Sequence, residues 1–131
     1  MEDVVLRDIN SSAIVAVSDL ARARHFYADM LGLEPVEDDM DGVMVFRTGA
    51  THLVVYRSDT AGTNRANAVV WDAGDDIDAI VAALADKGVV FEHYPDIGEF
   101  RDNIHHDAGG MKLVWFKDPD GNILHINRMP G

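Results

Sequence analysis

The chain has 131 residues, 47% of them hydrophobic, a formal net charge of −12 and no cysteine. That length supports one hydrophobic core, and the missing thiols exclude disulfides, zinc–thiolate sites and thiol nucleophiles. The acidic residues, clustered at Glu37-Asp38-Asp39, Asp41 and Asp72 through Asp78, repel phosphate backbones and anionic membrane surfaces, so neither nucleic acid nor a membrane is an expected partner.

Met1 to Asn10 read as a lead-in without a basic, then apolar, leader pattern, and no apolar run reaches the roughly eighteen residues of a membrane helix, so a soluble cytoplasmic protein is expected. Ile14 to Val17 form a short strand ended by Ser18-Asp19. Leu20, Ala23, Tyr27, Met30 and Leu31 then recur at helical spacing, with Asp19 as N-cap and Gly32 just past the C-terminus. Val43 to Phe46 and Leu53 to Tyr56 read as strands around the turn Thr48-Gly49-Ala50, and Asp59 to Asn67 as a polar connector.

The order then repeats. Ala68 to Trp71 is a strand, Asp75-Asp76 cap a helix with apolar face Ile77, Ile80, Val81 and Leu84, and Gly88 stops it. Strands follow at Val89 to Glu92, Lys112 to Lys117 and Ile123 to Asn127, the last two joined by the turn Asp118-Pro119-Asp120-Gly121-Asn122. The chain thus reads as one domain, 1–131, built from two βαβββ copies: module one about 12–58, a connector 59–67, and module two about 68–127. Such a duplication predicts an α+β fold in which a curved sheet lines a cleft and one helix per module lies outside.

Three strings carry a resemblance: Val17-Ser18-Asp19-Leu20 with Phe26-Tyr27 and Leu31-Gly32-Leu33; Asp76-Ile77-Asp78-Ala79 with Gly88-Val89; and Trp115-Phe116-Lys117-Asp118-Pro119-Asp120-Gly121-Asn122. In order and spacing they resemble the vicinal oxygen chelate superfamily of glyoxalase I, bleomycin-resistance proteins and extradiol dioxygenases. In its metal-dependent members a ligand lies near the start of each module's first strand and another on each last strand. The resemblance implies that these four positions fall on Ser12, Val55, Val69 and His125. Two valines cannot ligate, so no metal and no other cofactor is expected, a divalent ion being the alternative. His105-His106-Asp107 is the other histidine cluster, but adjacent strand residues face opposite ways and can share one metal only from a loop. Asp96 to Gly110 reads as a polar segment able to act as a lid.

The strand parity set by those four positions makes Ile14, Ala16, Val43, Val45, Leu53, Arg57, Trp71, Met111, Leu113, Trp115, Ile123 and Asn127 cleft-facing. Candidate ligand-binding residues are therefore Trp71, Trp115, Arg57, Val55, Val69, Ser12, Asn127, His105 and His106, with His125 as the candidate acid/base. Three functions stay open. The first is a metal-independent, dimeric protein of the bleomycin-resistance type that holds an aromatic or cationic small molecule. The second is a lyase, isomerase or dioxygenase using His125. The third is an interaction module whose cleft is a homodimer interface.

Overall fold

The computed structural model describes residues 6–8, 10–40 and 42–129. Met1 to Val5 and Asp41, part of the acidic pattern, lie outside the described residues. Two sheets form the scaffold. The first has strand order β1-β4-β3-β2, from β1 (Ala13–Val17), β2 (Glu34–Met40), β3 (Val43–Thr48) and β4 (Thr51–Arg57). The second has order β5-β9-β8-β7-β6, from β5 (Asn67–Asp72), β6 (Glu99–Arg101), β7 (Ile104–His106), β8 (Lys112–Lys117) and β9 (Ile123–Arg128). In each sheet the first strand runs parallel to the last and the rest pair antiparallel, so the duplication predicted from sequence is present in the topology. Edge strands β1 and β5 approach each other at the seam between the modules.

One helix covers each sheet. Helix α1 (Leu20–Arg24) is capped by Asp19, whose carboxylate accepts from Arg22 N at 3.1 Å, and it continues as a π-helical stretch, His25–Met30. Gly32, at φ 80°, ends it in the left-handed conformation expected past a C-terminus. Helix α2 (Ile77–Asp86) buries Ile77, Val81 and Leu84. Its start differs from expectation: Asp76 makes no side-chain cap bond, and Asp72 Oδ1 instead accepts from Gly74 N at 3.2 Å to begin a 3₁₀ turn, Gly74–Asp76. Asp75 pairs with Arg128 at 2.9 Å.

The core lies between helices and sheets, where Val15, Val17, Phe26, Tyr27, Phe46, Leu53, Val55, Ile77, Val114, Phe116 and Leu124 are buried. Tyr27 packs edge-on against Phe26 at 5.1 Å, and Phe26 lies 6.5 Å from Phe116 of module two, so α1 is shared by both modules. Three element predictions need correction. Val89 to Glu92 is not a strand and contributes a single bridge, Phe91 to Phe116. Glu34–Met40, not foreseen, is an edge strand. Asp96 to Gly110 contains the β6–β7 hairpin, with Asp102 and Asn103 at φ 52° and 70° in its turn. Among the described residues no helix is long and apolar enough to cross a membrane.

Candidate functional site

Strand register decides which residues share the inner faces, away from the helices. In module two Trp115 pairs with His125, Leu113 with Asn127, and His105 with Leu113, while across the parallel pair Val70 faces His125 and Asp72 faces Asn127. The result is a wall of rings. Trp115 stacks on His125 with centroids 4.7 Å apart and planes 21° from parallel. Tyr94 and His105 meet Trp115 edge-on at 5.1 and 5.2 Å, and Phe100 lies 4.7 Å from His105. Of the predicted site residues, His125, Trp115, Asn127 and His105 are therefore brought together.

The two imidazoles are held in one tautomer by the backbone of β8. His125 Nδ1–H donates to the Val114 carbonyl at 2.9 Å, because a carbonyl can only accept. Its Nε2 consequently carries the lone pair and accepts from Asn127 Nδ2 at 3.3 Å. His105 repeats the arrangement, with Nδ1–H to the Leu113 carbonyl at 3.3 Å and Nε2 accepting from Tyr94 N–H at 2.9 Å. Burial pushes both imidazoles below their ordinary pKa, since a cation here would lose its hydration. Both rings are thus neutral near pH 7. Asn127 Oδ1, turned away from His125, is buried without a donor.

The other predicted residues do not join this wall. Val55 is in register with Val15 and Met44 and is fully buried on the helix side. The reason is turn length: β3 and β4 are joined by two residues and β8 and β9 by five, so an equal count from Phe46 and Phe116 lands on opposite faces. Val54 occupies the place that corresponds to His125. Arg57 pairs with Val17, and Leu53 is buried with Phe46, so both share the helix-side parity, Arg57 exposed at its strand end. In β5 Val69 and Trp71 are in register with the buried Leu124 and Ile126 and so face the helix side, while Val70, opposite His125, is on the inner face with Ala68, which sits at a bulge. Six residues separate Val70 from α2 where five separate Ile14 from α1, so an equal count back from the two helix starts lands on opposite faces. Trp71 Nε1 donates to Thr48 Oγ1 at 2.8 Å, and its indole walls an outer cavity of about 290 Å³ together with Leu31, Leu84 and Phe116. His106 faces away from His105, into a groove against α2 beside Lys112. Ser12 is exposed just ahead of β1.

Tyr94, Phe100, Val54 and Val70 were missed. Phe100 was legible: Glu99-Phe100-Arg101 and Ile104-His105-His106 alternate around Asp102-Asn103, a dipeptide suited to a tight hairpin. The observed register moves the four family ligand positions to Ser12, Val54, Ala68 and His125. One hydroxyl, one imidazole and two hydrocarbon side chains do not fit a divalent metal, which needs three or more N, O or S donors from the protein. Among the described residues no group of three or more histidines or carboxylates converges anywhere else.

The profile of the Glyoxalase/Bleomycin resistance protein/Dioxygenase superfamily matches residues 9–126. Among curated proteins none matches the chain. A glyoxalase/bleomycin resistance protein from Catenulispora acidiphila is similar in fold, at TM-score 0.73 and 24% identity over 94% of this chain and 100% of that one. A lactoylglutathione lyase from Agrobacterium tumefaciens superposes at TM-score 0.70 and 19% identity, over 92% and 93% of the two chains. A glyoxalase/bleomycin resistance protein/dioxygenase from Alicyclobacillus acidocaldarius gives TM-score 0.72 at 16% identity, over 92% and 91%. With the duplicated sheets, their strand order and the profile match in agreement, the chain belongs to the Glyoxalase/Bleomycin resistance protein/Dioxygenase superfamily.

Proposed function

We propose that this protein binds an aromatic, cationic small molecule on its inner face without the help of a metal. The observation that carries the reading is the stacked Trp115–His125 pair, flanked edge-on by Tyr94 and His105: a π-rich, uncharged cluster, half-buried at Trp115, within a strongly acidic protein. Aromatic faces attract cations, and the net charge of −12 favours their approach. The inner-face donor set supports metal independence. The acidic, cysteine-free composition suits a reducing cytoplasm, and the exposed apolar Ile14 and Val70 on the inner face support a homodimer.

The test uses Trp71→Phe protein, so that Trp115 is the reporter, titrated with N-pentylquinolinium after exhaustive chelation. Saturable quenching unchanged by chelator is expected. Absence of quenching, or quenching that appears only when Zn²⁺, Ni²⁺, Mn²⁺ or Fe²⁺ is added back, overturns the reading. A second reading, proton transfer by His125, draws on its unprotonated Nε2. It predicts turnover of a substrate such as lactoylglutathione that is lost in His125→Gln; no turnover sinks it.

A further inference from the structure

At the other end of the inner face, β1, β4, β5 and the connector enclose a cavity of about 220 Å³ lined by Tyr56, Thr60, Thr63, Asn64, Ala68 and Asn122. Its chemistry differs from the ring wall: hydroxyls and amides, with no charged side chain. Asn122 is the built part. It is 5% exposed, and both hydrogens of its Nδ2 are committed, one to the Ala16 carbonyl at 2.7 Å and one to Asp118 Oδ2 at 2.8 Å.

Both of those partners only accept, so the amide cannot be turned over, and Oδ1 is the uncommitted atom of a side chain that lines the cavity. No donor reaches it from the described residues. Asp118 itself is saturated by Tyr27 O–H at 2.6 Å and by Asp120 N and Asn122 N at 2.9 Å each, which leaves the amide no other seat. Tyr56 O–H likewise has no protein partner among the described residues, and Thr63 donates to the Thr60 carbonyl at 2.8 Å while keeping its lone pairs. An acceptor with no protein donor, beside hydroxyls able to give or take a proton, matches a ligand hydroxyl; a charged group would find no counter-charge among the lining side chains.

We propose that this cavity is a second half of the binding site and holds a neutral, hydroxyl-bearing tail of the ligand, anchored on Asn122 Oδ1. The inference rests on the ring-wall reading above. Ala68 adjoins Ile123 and Leu124 in the β5–β9 register, within about 7 Å of His125 along β9, so one molecule with a short linker reaches both places. The ligand class is an aromatic cation carrying a hydroxylated chain.

The experiment compares N-(4-hydroxybutyl)quinolinium with N-pentylquinolinium, which differ by a hydroxyl for a methyl, in the Trp71→Phe protein. The hydroxylated probe should bind about tenfold more tightly, the worth of one or two hydrogen bonds that leave no polar group unpaired. Its binding should shift the Asn122 side-chain amide resonance, which the pentyl probe leaves in place. Tyr56→Phe should reduce the preference, and Ala68→Leu, which fills the cavity, should abolish it. Equal affinity of the two probes, both quenching Trp115, overturns the tail site and leaves the ring wall standing. Quenching by neither overturns both.

Discussion

Tyr27 is fully buried, and its hydroxyl donates to Asp118, itself 4% exposed. Burial and the neighbouring Asp118 carboxylate raise the phenol far above its ordinary pKa, so it acts as a permanent donor. Tyr27→Phe removes one of the four bonds that satisfy the buried Asp118 carboxyl group; a loss of about 1.5–3 kcal/mol is expected in urea unfolding. The imidazoles act in the opposite sense with pH. His105 and His125 have folded pKa values below their unfolded ones, so the unfolded chain takes up protons first. Their contribution is fully present above about pH 6.5 and is lost as pH falls from there through the folded pKa values. The melting temperature should therefore drop on acidification below about 6.5, with a shallower slope in His105→Gln, read by thermal unfolding between pH 5 and 8. A pH-independent melting temperature in that window would sink the assignment of neutral rings.

At the scale of elements, the connector is fixed by one close approach. Gly62, at φ 75°, leaves no room for a side chain, because a Cβ there would overlap the Asp120 carbonyl oxygen. Gly62→Ala should cost about 2 kcal/mol or more through strain and displacement, measured by chemical denaturation, and the loosened connector should lower affinity for the hydroxylated probe. The same scale explains what could be read from sequence. Helix ends were legible, since Asp19, Gly32 and Gly88 act locally through caps and left-handed φ. Strand facing was not. The placement of Val55 hinges on a two-residue turn and that of Val69 on one extra residue between β5 and α2, and either shift of one residue inverts a whole face. Strand β2 escaped notice because Glu37-Asp38-Asp39 looks like a loop, yet charges are what a sheet edge tolerates. His125 and Trp115 were placed together because they sit across one hairpin of known turn.

For the whole molecule, the seam between modules carries bonds as well as apolar packing. Trp71 to Thr48, Asn122 to the Ala16 carbonyl, Ser18 Oγ and Arg22 to Asp120, and Lys87 Nζ to the Asp29 carbonyl all cross it. Sedimentation should give a mass twice that of the chain if the homodimer forms, and a monomer would remove that assembly from the account. The asymmetry of the two hairpins matters most here. The five-residue turn 118–122 reaches across to hold α1 and β1, whereas beside the two-residue turn 49–50 it is Thr48, at the end of β3, that meets Trp71. Module one alone would lack the Asp118 acceptor of the Tyr27 hydroxyl and the Phe116 ring against which Phe26 packs. Amides of α1 should then exchange with solvent only when the hairpin of β8 and β9 opens, and the duplicated halves, though alike in topology, should melt in a single transition rather than in sequence.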